Sequence, residues 1–160
     1  RKSEIQYIAP RLFGAAVELA KARSNLRFVV PVVTGLRHAI EPLRKQYAPN
    51  LPITLLDGRS HEALAACDVA VVQGGLTTTM ELVAYQRPFL YFPLEHHFEQ
   101  QLHVRHRLNR YRAGHCMDFA PSTPESIADA LVQQLKTTPD YRPVGTDGAA
   151  HAAKTIAELL

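Results

Sequence analysis

Two short segments of this 160-residue sequence carry side chains whose types and spacing suit a charged, hydroxyl-rich ligand. The first is Gln73-Gly74-Gly75-Leu76-Thr77-Thr78-Thr79-Met80-Glu81, which follows an apolar run and opens a helical pattern. Glycines at a strand-to-helix turn let a ligand come close to the backbone. The first amides of a helix are unpaired donors at the positive end of its dipole. Thr77, Thr78 and Thr79 add hydroxyls to that turn, and Glu81, one turn later, offers a carboxylate to a ribose diol. The combination reads as a diphosphate cradle with a sugar acceptor behind it. An ordinary helix start with threonine capping accounts for this segment equally well when it is taken alone. The dinucleotide pattern GxGxxG does not occur, nor does a P-loop Gly-Lys-Ser/Thr, so those two nucleotide-binding classes fall away.

The second segment, Phe92-Pro93-Leu94-Glu95-His96-His97-Phe98-Glu99-Gln100-Gln101, follows the next strand-like run and enters the next helix. It is therefore expected at the same end of a parallel sheet as the Gly-Gly loop. Glu99, Gln100 and Gln101 supply a carboxylate and two amides, donors and acceptors that match the hydroxyls of a hexose. A polar helix start is often no more than solvated surface. Two of them on adjacent strands are harder to dismiss.

The elements that must position these segments alternate along the chain. Ser3 is placed to cap a helix whose apolar positions Ile5, Ile8, Leu12, Ala16, Leu19 and Ala20 recur at helical spacing, with Lys21 and Arg23 in its last turn. The run Phe28-Val29-Val30-Pro31-Val32-Val33 is continuously apolar and predicts a strand covered on both faces. A helix over 36–47, a strand over 53–56, a short helix capped at Ser60, a strand over 68–72 and a helix over 76–85 follow. Then come a strand over 88–92, a helix over 98–111, a short strand over 115–119 and a helix opened by Pro124, the first-turn position that Pro favours. A Pro/Gly-rich connector over 138–148 leads to a terminal helix over 149–160. Such alternation means an α/β three-layer sandwich with a parallel, Rossmann-like sheet in one domain over 1–160. A doubly wound half-fold begins with a strand, so a first strand is expected ahead of Arg1.

Other features bound the function more loosely. Eighteen basic against fifteen acidic residues give a net charge of +3, and Trp is absent, which argues against a nucleic-acid partner. Cys67 and Cys116 form no CxxC and are expected as reduced, half-buried thiols of a cytosolic protein. No apolar run is long enough for a membrane helix. His103 and His106 share a helix face as two metal ligands would, but no third ligand is fixed by spacing, and no metal is assigned. Arg105, Arg107, Arg110 and Arg112 form a basic cluster, read as a solvated helix face, with attraction to anionic lipid headgroups as the sharper alternative.

Together the two polar segments resemble the donor-sugar signature of GT-B glycosyltransferases, in their C-terminal nucleotide-sugar-binding half. Gly75, Thr78 and Glu81 are similar in type and spacing to a motif of the bacterial peptidoglycan N-acetylglucosaminyltransferases, as are Pro93, His96, Gln100 and Gln101. That resemblance implies that the Gly75 amides and Thr78 hold the diphosphate, Glu81 the ribose hydroxyls, and Gln100 and Gln101 the sugar. The plant-type UDP-sugar box is similar too, with an acid–Gln pair where this chain has Glu99-Gln100, but it carries His where this chain has Gln73. Over residues 1–72, Arg1-Lys2-Ser3-Glu4-Ile5, Pro31 with Gly35-Leu36-Arg37, and Leu56-Asp57-Gly58-Arg59-Ser60 resemble the lipid-A-disaccharide synthase family.

These resemblances imply half of a GT-B fold binding a UDP-sugar, with Gln73, Gly74, Gly75, Thr77, Thr78, Glu81, His96, Glu99, Gln100 and Gln101 as donor-binding residues. The enzyme they imply is an inverting hexosyltransferase, cytoplasmic or peripheral to the membrane, with a small or lipid-linked acceptor. The catalytic base is expected from an N-terminal half or partner chain, and no cofactor beyond the UDP-sugar substrate. A GT-B sugar-nucleotide epimerase and a non-catalytic nucleotide-sugar-binding subunit are the alternatives.

Overall fold

In the computed structural model, which describes residues 2–58 and 60–159, helices and strands alternate along the chain. They are α1 (Lys2–Ala22), β1 (Phe28–Val32), α2 (Arg37–Tyr47), β2 (Ile53–Asp57), α3 (Ser60–Ala66), β3 (Ala70–Gln73), α4 (Leu76–Ala84) and β4 (Phe89–Phe92). A π-helical turn (Glu99–Val104) then runs into α5 (Arg105–Tyr111), followed by β5 (His115–Cys116), α6 (Pro124–Gln134) and α7 (Gly148–Ala157).

Every strand pairing is parallel. β1 pairs with β2 in the register Phe28↔Ile53 to Val32↔Asp57, and β4 lies between β3 and β5, with Ala70↔Phe89 and Leu90↔His115. The described strands thus form a two-stranded and a three-stranded sheet, with β1 and β3 each bonded along one edge.

The two-residue period of β4 sets the layers. Phe89 and Tyr91 face a core built with Leu64 of α3, Leu82 and Val83 of α4, and Val104 and Leu108 of the π-turn and α5. Leu90 and Phe92 face the opposite core, with Ala15 and Leu19 of α1 and Ile127, Ala128 and Leu131 of α6. A third core packs Phe13 of α1 and Ile40 of α2 on Val32 and Leu55. Helix α1 therefore reaches both sheets, through Phe13 to one and through Ala15 and Leu19 to the other. The expected α/β layering is the one observed.

Several local expectations change. Ser3 is inside α1, which is already helical at Lys2, so its hydroxyl does not stand ahead of the first turn; Lys21 is in the last turn and Arg23 just past it. β1 is covered on one face only: Val30 and Val32 turn inward, while Val29 is 48% exposed. The crossover on its outer face, α3, has only seven residues. The capping role given to the Ser60 side chain, and the motif positions Arg1 and Arg59, lie outside the described residues. The last strand is confined to two residues. Pro124 does open α6 at its first turn, behind a Thr123–Ser126 capping box. The connector after α6 is anchored: the Gln86 side chain donates to Tyr141 O at 3.3 Å and accepts from Tyr141 N at 3.2 Å, and Tyr141 and Val144 pack on the core. Cys67 and Cys116 are free and half-buried, and burial pushes the Cys67 thiol up.

Candidate functional site

Both polar segments emerge at the carboxyl ends of β3 and β4, and backbone hydrogen bonds join them. Gly74 N donates to Phe92 O at 3.3 Å, extending the β3–β4 ladder one residue past the strand, and Gly75 N turns back to Gln73 O at 2.8 Å. Gly75 is the N-cap of α4, with extended φ −72° and ψ 133° and no side chain to bond the first turn. The amides of Leu76, Thr77 and Thr78 are consequently without intrahelical acceptors at the positive end of the helix.

The three threonines divide by direction. Thr79 is fully buried and its hydroxyl donates to Gly75 O at 2.9 Å and Leu76 O at 3.0 Å, so it braces the turn and is not offered to a ligand. Thr77 is exposed and Thr78 half-buried, and Glu81, three residues after Thr78, is half-buried on the same side of α4. Gln73 ends β3 half-buried beside them.

The second segment is tied to the first at Gly74. A Cβ on Gly74 would lie 3.0 Å from Pro93 Cα and 3.3 Å from Gln100 Oε1, so the two loops approach closely where a side chain would crowd them. Gln100 is buried, and its Oε1 accepts Leu94 N at 2.9 Å. Gln101 Nε2 donates to Leu94 O at 3.1 Å, and its Oε1 accepts from Arg105 Nη1 at 3.2 Å. The paired glutamines thus clamp the Pro93-Leu94 turn. Among the described residues Gln100 Nε2 has no hydrogen-bond partner, which leaves one amide donor at the junction of the two loops. Replacing Gln100 with Ala orphans Leu94 N, and chemical denaturation should record a loss of about 1–3 kcal/mol.

The structure therefore brings Gln73, Gly74, Gly75, Thr78, Glu81, Gln100 and Gln101 to the carboxyl end of the β3–β4 pair. Thr77 lies on the outer side of that turn, and His96 and Glu99 are exposed, with no side-chain bond to the rest of the group. Two features escaped the sequence reading. One is the π-helical turn, which lets Gln100 and Gln101 both reach back to the loop. The other is a guanidinium–carboxylate contact at the ends of β1 and β2. Arg37 Nη2 donates to Asp57 Oδ2 at 2.7 Å and Leu55 O at 2.8 Å, joining two motifs twenty residues apart. Both side chains are about half exposed, so the pair fixes loop geometry more than it stabilises the fold.

The family model for lipid-A-disaccharide synthetase matches residues 1–92, more than half of the chain. The chain belongs to that family. Among curated relatives, the lipid-A-disaccharide synthase of Azotobacter vinelandii is 32% identical over 181 aligned positions, covering 99% of this chain and 47% of that protein. The Albidiferax ferrireducens synthase is 32% identical over 137 positions, 84% of this chain and 34% of the relative. The Pseudomonas syringae synthase is 44% identical over 91 positions, 56% of this chain and 23% of the relative. The chain thus spans less than half the length of the lipid-A-disaccharide synthases it matches. Its likeness to that family reaches beyond residue 72, where the motifs alone had placed it, through the Gly-Gly loop and β4.

Proposed function

We propose that this chain is the donor-binding part of an inverting GT-B glycosyltransferase that uses a UDP-sugar. The observation that carries this reading is the junction at Gly74. There the uncapped start of α4, with its free amides, Thr78 and Glu81, meets the Gln100–Gln101 clamp within one sheet edge. The amides of 76–78 and the helix dipole take the diphosphate, Glu81 the ribose hydroxyls, and Gln100 Nε2 with Gln101 the sugar. In the transfer, an acceptor hydroxyl bonds to the anomeric carbon as the bond to UDP breaks, and the helix start stabilises the charge gathering on the leaving diphosphate. No metal or cofactor is assigned to that step. The base that takes the acceptor's proton comes from polypeptide outside this chain.

The relatives' name, lipid-A-disaccharide synthase, supports a lipid-linked sugar as acceptor. A strand ahead of Lys2, lying between β1 and β3, would complete the strand order 3-2-1-4-5-6 and put the Gly74 junction beside the switch point where such sheets bind ligands.

Thermal shifts of the full-length protein with UDP, UDP-GlcNAc, UDP-glucose and TDP-sugars test the reading. A ligand at about 100 times its Kd adds roughly 2.7 kcal/mol of stability. Absence of a shift with every member of the panel removes the donor role. Glu81→Ala should weaken UDP binding by about 1–3 kcal/mol in calorimetry, the scale of lost hydrogen bonds to a carboxylate. Unchanged affinity would take Glu81 out of the site.

A further inference from the structure

Arg105 stands one turn beyond the paired glutamines and is joined to the Pro93-Leu94 turn through Gln101. The peptide groups of Leu94 are held on both sides by side chains from the π-helical turn. Leu94 N donates to Gln100 Oε1 at 2.9 Å, and Leu94 O accepts from Gln101 Nε2 at 3.1 Å. Gln101 Nε2 also donates, at 3.4 Å, to Pro93 O, so both contacts need the NH2 end of that carboxamide turned toward the loop. Its other end, Oε1, accepts from Arg105 Nη1 at 3.2 Å. Among the described residues no carboxylate pairs with Arg105, so its guanidinium is not drawn elsewhere.

A carboxamide has nearly the same shape either way round, and its hydrogen bonds decide which end points where. Turned over, Gln101 would set its oxygen against two carbonyl oxygens and its NH2 against a guanidinium, which has no acceptor to offer. Arg105 thus disfavours the flipped state from the outer side, where water alone would serve either end. Contacts four residues apart on an exposed helix are ordinarily worth little. This one ends a hydrogen-bonded series, Arg105 to Gln101 to Leu94 to Gln100, whose last member carries the unpaired Nε2 donor at the Gly74 junction. Gln100 is buried, so a displaced Leu94 is felt at its amide. We propose that Arg105 is a positioning residue for the donor sugar. It locks the Gln101 carboxamide, and through Leu94 the Gln100 amide, in the orientation that meets sugar hydroxyls. This role rests on the donor reading above and extends it to a side chain that acts through Gln101. UDP without its sugar meets the start of α4 and Glu81, and does not sense the brace.

Calorimetry of the full-length protein with UDP, UDP-GlcNAc and UDP-glucose tests this directly. Arg105→Ala should lower affinity for the UDP-sugar that wild type binds about fivefold, the scale of one net hydrogen bond, and leave UDP affinity unchanged. Arg105→Lys keeps a donor on a long side chain and should restore most of the loss. In a Gln101→Ala background, Arg105→Ala should cost nothing further, because the side chain it acts through is gone. Arg105 is exposed, and circular dichroism melts check that the variants are folded. Equal losses for UDP and the UDP-sugar would make Arg105 a general attractor of the diphosphate. Losses that add to those of Gln101→Ala would make it a direct sugar contact, and wild-type binding by Arg105→Ala would make it ordinary surface. Each of these results overturns the positioning role and leaves the donor reading in place. A wild type that binds none of the three nucleotides overturns both.

Discussion

Gly75→Asp should make the protein slightly more stable and a much poorer UDP binder. Gly75 already has the extended backbone of an N-cap, and a Cβ built there meets no atom within 4 Å. Aspartate is a preferred N-cap residue, so its carboxylate should accept the free first-turn amides and face the positive end of α4. The expected gain is about 0.5–1 kcal/mol, roughly 2 °C in melting temperature. Those same amides are the ones assigned to the diphosphate, so the new carboxylate competes for them with like charge. For two charges roughly 5 Å apart at an effective dielectric of about 20 the repulsion is about 3 kcal/mol, roughly a two-hundredfold loss of affinity. Opposite signs in stability and binding separate a ligand role from a structural one. If calorimetry finds UDP affinity unchanged in a folded Gly75→Asp variant, the diphosphate does not sit at α4.

Gly114→Ala should be the most damaging single change to the fold. Gly114 has φ +69°, a left-handed conformation that costs an L-residue about 1–2 kcal/mol. Its Cβ would also fall 2.4 Å from Phe89 Cε2 and 2.6 Å from Cζ. Phe89 cannot yield easily. It is fully buried in the core shared with α3, α4 and α5, with Tyr91 and Tyr141 at 6.0 and 6.2 Å between ring centroids. Overpacking of a buried ring adds about 1–3 kcal/mol, so the total is about 2–5 kcal/mol, read from urea unfolding. Phe89→Leu in the Gly114→Ala background should recover the packing part and leave the backbone part, a coupling of about 1–2 kcal/mol. Strictly additive losses would show that the ring is not what Gly114 accommodates.

How far the sequence could be read follows from what each feature depends on. β4 was legible because Phe89 to Phe92 are apolar at every position and are buried at every position. Pro124 signalled the start of α6 because its fixed φ and missing N–H act locally, whatever packs nearby. Val29 misled because an apolar side chain reports what a strand would bury, not whether a partner covers it. The π-turn at 99–104 was invisible because apolar spacing was read at the period of an α-helix. In the candidate site, the Gly74-Gly75 turn and the neighbouring Pro93 loop were legible as adjacent strand ends. The division of labour among Thr77, Thr78 and Thr79 was not, since three identical side chains differ only in the direction each leaves the helix. Nor could the sequence reveal that Gln100 spends its carbonyl on Leu94 N, a contact made only after the two loops meet.

The one-sided pairing of β1 and β3 also bears on how this stretch of polypeptide can be handled. Each strand offers a row of backbone donors and acceptors at the spacing another strand needs, and Val29 and Val33 add exposed apolar side chains beside the first. Edges of this kind template pairing with further extended segments, so charged side chains placed along β1 and β3 should protect against self-association more than the same changes on the helices.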